Sequence, residues 1–138
     1  MKKSAGIVFT YQNKILLVHP SSAPWFNSYG FPKGLLEGNE SIIEAAIRET
    51  QEEIGVVCDK SLLTTVDSIK YLKGTNCYKI NYYCHVKLQS LSDIGLTTEI
   101  IPREQLQLSE VDWAGFLDLN EAKKRIFHRQ IDLLKLLK

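Results

Sequence analysis

Two patterns of hydrophobic and polar residues divide the chain into predicted strands and a central helix. The strand pattern consists of short apolar runs, rich in β-branched residues, that are separated by polar turns. Tyr11 to Lys14 is such a turn, with apolar runs on both sides. The predicted strands are Ala5 to Phe9, Ile15 to Val18, Leu62 to Leu72, Tyr78 to Leu88 and Val111 to Leu117.

The helical pattern covers Asn39 to Ile54, where residues that favour helices dominate. Asn39 or Ser41 can cap its start, and Gly55 follows it where a helix ends. A turn of about 100° per residue puts four side chains on one stripe, which we expect to pack on the sheet. These side chains are Ile43, Ile47, Thr50 and Ile54.

The rest of the chain is divided between loops and a C-terminal helical region. His19 to Lys33 holds three prolines and predicts a long ordered loop, and such loops are often functional. Ser90 to Leu108 is polar with weak periodicity and is predicted to be mainly loop. From Leu119 onward we expect one or two helices, with Ile131, Leu134 and Leu137 recurring every third residue. Strands and helices in mixed order predict an α/β or α+β sandwich.

Composition limits the classes of function. A chain of 138 residues predicts a single domain, residues 1–138, and a net charge of +1 argues against a broad nucleic-acid-binding surface. The three cysteines lack the spacing of a disulfide framework or a zinc site, so a reducing cytoplasm is the expected location. The apolar run near the N-terminus is soon broken by polar residues, which predicts no signal peptide and no membrane span.

Three carboxylates share one flank of the predicted helix. Glu49 and Glu53 lie one turn apart, with Glu52 beside them. They repel one another and lie near the negative end of the helix dipole. A solvated acidic face is the ordinary meaning of such a cluster. The functional alternative is a divalent cation, and hard oxygen ligands favour Mg²⁺, with Mn²⁺ as a second choice.

The residues around this cluster decide between the two readings. Gly34 is followed after five residues by Glu40, and after seven more by Arg48-Glu49-Thr50-Gln51-Glu52-Glu53-Ile54-Gly55-Val56. This spacing resembles the Nudix box, with a departure at Thr50, where the family usually has an aliphatic side chain. The resemblance implies the fold of the Nudix hydrolases, an α/β/α sandwich with a mixed central sheet.

The resemblance also implies roles for the carboxylates. Glu49, Glu52 and Glu53 are the expected metal ligands, and the backbone carbonyl of Lys33 is expected to complete the inner shell. Glu52 is the first choice for the general base that activates water, and Glu49 is the second. A further ligand from outside the box is expected among Glu99, Glu104 and Glu110.

Two neighbouring residues of the box are expected to support these carboxylates. Arg48 can reach Glu44 and Glu52 at four-residue spacings and is expected to orient the catalytic carboxylates. Glu40 is expected to close the loop against helix amides and the Arg48 region rather than to bind metal.

The implied reaction is attack of a metal-activated water on phosphorus, without a protein nucleophile. The segment Tyr29-Gly30-Phe31-Pro32-Lys33-Gly34 is similar to the lead-in of dinucleoside tetraphosphate hydrolases, and Lys33 is expected to contact phosphate. Nucleoside triphosphates and diphosphoinositol polyphosphates are the alternative substrates. Aromatic side chains that could stack a base are Trp25, Phe26, Tyr82 and Tyr83, of which Tyr83 is the preferred substrate-binding residue.

A different class of function is a Nudix-like module that binds a nucleotide without cleaving it. Such modules commonly lose carboxylates of the box, whereas this chain keeps Glu49, Glu52 and Glu53. The expected partner is therefore a small nucleotide or polyphosphate substrate, bound by a monomer or a homodimer.

Overall fold

A computed structural model describes residues 1–137 of the chain as a mixed sheet between two helical layers. The strands are β1 (Lys2–Tyr11), β2 (Lys14–Pro20), β3 (Lys33–Leu35), β4 (Leu63–Lys73), β5 (Asn76–Leu88) and β6 (Val111–Asp118). The helices are α1 (Ile42–Ile54) and α2 (Leu119–Arg125), with 3₁₀ segments at Lys60–Leu62, Leu91–Ile94, Arg103–Gln105 and His128–Leu137. No helix within residues 1–137 is long and apolar enough to cross a membrane.

The sheet has the order β4-β5-β1-β2-β6, with β3 paired to β1 outside this path. β1 runs parallel to β5, from Lys2 opposite Lys79 to Tyr11 opposite Leu88, and the other pairings are antiparallel. The predicted α/β sandwich with a mixed central sheet is confirmed.

Each face of the sheet supports one hydrophobic cluster. α1 packs on the first face, where Ala45 and Ala46 join side chains from β1 and β5. α2 and the last 3₁₀ segment cover the second face through Ala122, Leu133 and Leu134. Two positions of the predicted apolar stripes are wrong, because Ile43 and Ile131 are exposed. Ala45 and Ala46 are buried against the sheet instead of Ile43.

The predicted strands are confirmed, and most extend beyond the expected bounds. β3 was not predicted, because three residues are too few for a periodic pattern. α1 begins after Ser41, whose hydroxyl accepts a hydrogen bond from the Glu44 amide in a capping box, and so Ser41 rather than Asn39 is the cap. The helix ends at Gly55, in the left-handed conformation with φ 68°.

Candidate active site

The site is built where β1 and β2 separate. These strands pair only at their turn end, through Thr10 with Ile15 and Tyr11 with Lys14. Residues 30–35 enter the gap: the Val18 amide donates to the Gly30 carbonyl at 2.8 Å, and the Ile7 amide donates to the Pro32 carbonyl at 3.2 Å. The end of the predicted loop and β3 are therefore held between two core strands, which places Lys33 and Gly34 beside α1.

Gly34 leaves the space that the Glu49 carboxylate occupies. A Cβ atom at this position would collide with the Glu49 carboxylate, so Gly34 makes a close approach that a larger residue would prevent. The Gly34 backbone is fixed by its pairing with Ala5 on β1. The first glycine of the box therefore sets where the Glu49 carboxylate lies.

Arg48 connects the carboxylates of the box. Its guanidinium donates to Glu40 in a two-pronged contact, Nε to Oε2 at 2.6 Å and Nη2 to Oε1 at 2.9 Å. Nη1 donates to Glu49 Oε1 at 2.9 Å and to Glu52 Oε2 at 3.0 Å. This arrangement fits the role expected for Arg48, except that Glu44 takes no part because its carboxylate accepts from the Ser41 amide instead.

Glu40 binds Arg48 rather than the amides of the helix. The Arg48 hydrogen bonds, together with a hydrogen bond from the Glu37 amide, lower the pKa of Glu40 to about 2. The Glu40 carboxylate is therefore ionised and fully used by its protein partners. Glu40 closes the loop before α1, and the expectation that helix amides hold it is wrong.

Glu53 is set deeper than the other two carboxylates of the helix flank. Burial raises the pKa of Glu53 to about 8, although the nearby Lys33 ammonium opposes this shift, and Glu49 adds to it. Glu52 by contrast is half exposed, and within residues 1–137 its carboxylate is held only by Arg48. The flank thus presents an accessible carboxylate at Glu52 and a desolvated one at Glu53.

A cleft of about 330 Å³ begins at Glu53 and Lys33. Lys79 and Asn81 of β5 and Gln130 of the last 3₁₀ segment line its other side. Lys33 and Lys79 form no ion pair with any side chain of residues 1–137. Burial, together with the charges of Lys33 and Lys2, lowers the pKa of Lys79. The cleft therefore joins a carboxylate flank to a concentration of positive charge.

Lys79 was missed in the sequence, because nothing near it matches the box. It enters the cleft through the parallel pairing of β5 with β1, a contact between segments that are distant along the chain. Only its position on the polar face of a predicted strand, two residues before Asn81, could have drawn attention to it.

The three candidate carboxylates outside the box lie in different places. Glu110 lines the cleft and is close enough to Glu53 to raise its pKa. Glu99 forms an ion pair with Lys14 at 2.7 Å, and Glu104 is exposed on a 3₁₀ turn. Of the three, Glu110 is the one that the fold brings to Glu53.

The aromatic candidates for base stacking differ in how exposed their rings are. The Tyr83 ring is fully buried and packs edge-to-face with Phe31, so Tyr83 cannot offer a ring face to a ligand in this conformation. Trp25 and Phe26 are 62% and 68% exposed, and the Arg125 guanidinium lies over the Trp25 ring. Tyr83 could therefore affect a substrate only indirectly, through the residues that hydrogen-bond to its hydroxyl.

No group of three or more His, Cys, Asp or Glu side chains in residues 1–137 is already gathered closely enough to hold a metal ion. Glu49 and Glu52 are both turned towards Arg48, and Glu53 faces Lys33. The Lys33 backbone lies near enough to the Glu53 carboxyl to oppose the rise of its pKa.

Comparisons with known proteins agree with the box and the fold. A family model described as "NUDIX domain" matches residues 1–136. The chain is 30% identical over 98 residues to mRNA decapping complex subunit 2 of Schizosaccharomyces pombe, covering 71% of this chain and 12% of that protein. It is 31% identical over 62 residues to human 8-oxo-dGDP phosphatase NUDT18, covering 45% of this chain and 19% of that protein. The chain thus spans less than a quarter of these curated relatives.

Solved structures are similar over nearly the whole chain. An Ap4A hydrolase of Caenorhabditis elegans in a binary complex has a TM-score of 0.68 and 24% identity, covering 98% of this chain and 93% of that one. The E. coli ORF135 protein has a TM-score of 0.66 and 22% identity, and the match covers 98% of this chain and 86% of that one. At these identities the likeness establishes a shared fold.

Proposed function

Because the chain belongs to the NUDIX domain family, we propose that it is a Mg²⁺-dependent pyrophosphohydrolase that cleaves a diphosphate linkage by attack of water. The observation that carries this proposal is the complete set of box carboxylates on one flank of α1. Arg48 binds Glu49 and Glu52, and Glu53 lines a cleft with two lysines that form no ion pair within residues 1–137. Carboxylates suited to a cation and lysines suited to an anionic substrate thereby lie near one another.

The chemistry of the donor set fits a hard divalent cation. Glu49, Glu52 and Glu53 offer only oxygen atoms, and they share one flank of α1 near a helix end that disfavours bare anions. The desolvated Glu53 carboxyl is a poor anion without a nearby cation, as its raised pKa of about 8 indicates. These three residues, with the Lys33 backbone, would hold Mg²⁺ or Mn²⁺. The bound ion would supply charge neutralisation on phosphate oxygens and a more acidic water.

Different residues of the site have different proposed roles. Glu52 is the proposed general base, because it is the most exposed carboxylate of the flank and can meet a water from solvent. Arg48 restricts where Glu49 and Glu52 lie through charge-assisted hydrogen bonds. Lys33 and Lys79 are proposed to bind phosphate oxygens as point charges, one from each side of the cleft.

Dinucleoside polyphosphates are the proposed substrates, and other nucleotides the second choice. The support is the Lys33 lead-in sequence and the likeness of the fold to an Ap4A hydrolase. A diphosphoinositol polyphosphate fits less well, since such a polyanion needs more than the two cleft lysines. We also propose a cytoplasmic location, a single domain and a monomeric or dimeric state.

The test is a panel of dinucleoside polyphosphates, nucleoside triphosphates, nucleotide sugars, triphosphorylated RNA and diphosphoinositols, each assayed with Mg²⁺ and with chelator. We expect Mg²⁺-dependent cleavage that is fastest on diadenosine tetraphosphate. Tight nucleotide binding without turnover of any compound would instead favour a non-catalytic binding module. Equal turnover in chelator would contradict the metal-dependent mechanism.

A further inference from the structure

Four basic side chains gather around one part of the cleft wall. Lys2, Lys79 and Tyr71 are register partners on β1, β5 and β4, so their side chains form a row on the same face of the sheet. Lys79 Nζ lies 5.4 Å from the centroid of the Tyr71 ring, and the guanidinium carbon of Arg129 lies 5.3 Å from that centroid. The charge of Lys33, like that of Lys2, acts on Lys79. Lys2, Lys33, Lys79 and Arg129 thus form one basic group.

Within residues 1–137, none of the four members of the basic group forms an ion pair with an acidic side chain. The Tyr71 ring attracts Lys79 and Arg129, but cation–π contacts are weak at exposed positions and supply no negative charge. Burial, together with the charges of Lys33 and Lys2, lowers the pKa of Lys79, so the group disfavours its own positive charge. The basic group is therefore suited to receive an anion from outside the protein.

The members of the basic group are spread along the direction of β1. Lys33 pairs with Gly6 on this strand, whereas Lys79 pairs with Lys2, four residues earlier. At about 3.3 Å per residue, the step from Lys2 to Gly6 spans roughly 13 Å. Lys2 and Arg129 are exposed, so the end of the group that lies away from Lys33 opens to solvent. This layout suits a chain of phosphates that runs out of the cleft better than it suits a single phosphate.

We propose that Lys2 and Arg129 form a distal phosphate subsite, which binds the far end of a linear phosphate chain longer than a diphosphate. Lys33 and Lys79 bind the near end of the same chain. This inference rests on the proposed function and adds to it the length of phosphate chain that the protein selects. The Arg129 guanidinium can bind two oxygens of one phosphate, and Lys2 adds a point charge beside it. A nucleoside tetraphosphate carries such a chain, whereas a nucleoside diphosphate is too short to use the distal subsite.

The first arm of the test is calorimetric titration of the wild type in chelator at low salt, so that binding is measured without cleavage. The probes are ADP, ATP and adenosine 5′-tetraphosphate, with inositol hexakisphosphate as a compact polyanion. We expect adenosine 5′-tetraphosphate to bind at least about tenfold more tightly than ADP, because the longer chain adds charge-assisted hydrogen bonds. ATP should lie between the two, and added salt should reduce the preference for the longer chain.

The second arm removes the distal subsite. Lys2→Gln combined with Arg129→Gln should reduce the preference for adenosine 5′-tetraphosphate over ADP to about threefold or less. Arg129→Lys keeps the charge and should retain most of the preference, which separates the charge of this side chain from its packing on Tyr71. Lys3→Gln combined with Arg103→Gln removes the same charge at exposed positions that do not line the cleft. This matched control should keep the full preference.

An equal loss of preference in the double variant and in its control would overturn the inference, because only total charge would then matter. Equal binding of ADP and adenosine 5′-tetraphosphate by the wild type, or no binding of the tetraphosphate, would overturn it as well. Tighter binding of inositol hexakisphosphate than of adenosine 5′-tetraphosphate would contradict a linear chain as the ligand. Each of these results leaves the proposed function standing if the wild type cleaves a nucleotide with Mg²⁺, so the two failures are distinguishable.

Discussion

Thr50 is a residue at which the chain departs from the box and at which stability can be tested. Its side chain is fully buried in α1, and its hydroxyl has no partner among residues 1–137. Thr50→Val keeps the shape and removes the unpaired polar atom, so we expect the free energy of unfolding to rise by about 1 kcal/mol. Urea denaturation measures this change. Thr65→Val on the exposed side of β4 is the control and should stay within about 0.5 kcal/mol; a destabilised Thr50→Val would contradict the account.

The contacts of His19 predict that its contribution to the free energy of unfolding depends on pH. Its Nδ1 lies 2.6 Å from Asp112 Oδ1 and its Nε2 3.1 Å from the Pro24 carbonyl oxygen. Both partners accept, so the protonated ring satisfies both. Burial lowers the pKa of His19, but the hydrogen bonds to Asp112 and Pro24 outweigh it, and the pKa lies above 6.5. The stabilisation that the protonated His19 ring provides is therefore complete below about pH 6.5, and it is lost as pH rises through the raised pKa.

The measurement for His19 is the melting temperature of wild type and His19→Gln between about pH 5.5 and pH 8.5. We expect the melting temperature of the wild type to exceed that of His19→Gln most at acid pH. The difference between the two melting temperatures should narrow as pH rises. His128→Gln, at an exposed position, should show a gap that does not vary with pH. A gap for His19→Gln that widens towards alkaline pH would show that the neutral ring is the stabilising form.

At the scale of elements, the contact of β3 with α1 predicts a variant that loses activity more than stability. Gly34→Ala puts a methyl group where the Glu49 carboxylate lies. Because Glu49 is the flexible partner in this collision, we expect it to move, with a stability change below about 1 kcal/mol and a fall in kcat of about tenfold or more. Steady-state kinetics and denaturation together measure both effects.

The control for Gly34→Ala is Gly74→Ala in the β4-β5 turn. Gly74 has φ 63° and open space around its Cα, so alanine there strains the backbone without touching the site. This variant should lose stability and keep its kcat. If Gly34→Ala instead kept full kcat, Gly34 would not set the position of a working carboxylate.

The helix α1 and its box were predictable because their signals are local. The capping residue, the terminal Gly55 and the shared flank of Glu49, Glu52 and Glu53 all depend on spacings within a few residues. Helical spacing alone did not show that Glu44 is used by the capping box and is therefore withheld from Arg48. It also could not show that the sheet buries Ala45 and Ala46 while leaving Ile43 exposed.

At the scale of the whole molecule, the cleft was not predictable because its residues meet only through the sheet order. Lys33 is the first residue of β3, Lys79 comes from β5, Glu110 is the residue before β6, and Gln130 comes from the last 3₁₀ segment. Nothing local in the sequence specifies the parallel pairing of β1 with β5. The strands themselves were predicted, but their neighbours depend on contacts distant along the chain.

Metal binding should be visible as stabilisation of the whole fold. A ligand that binds only the folded state raises the melting temperature with its concentration. We expect millimolar Mg²⁺ to raise the melting temperature of the wild type, and we expect Glu53→Gln to lose most of that increase. Glu121→Gln on α2 replaces a carboxylate outside the box, and this control variant should keep the increase in melting temperature with Mg²⁺. An increase of equal size in Glu53→Gln would exclude Glu53 from the metal site.

The most direct test of the central claim is kcat for diadenosine tetraphosphate with Mg²⁺, compared between wild type and Glu52→Gln. Glutamine keeps the hydrogen-bonding shape beside Arg48 but cannot take a proton from water. The account predicts a fall in kcat of about 100-fold or more, with an unchanged melting temperature and with Glu121→Gln at the wild-type rate. A Glu52→Gln variant that turns over at the wild-type rate would contradict the assignment of Glu52 as the base.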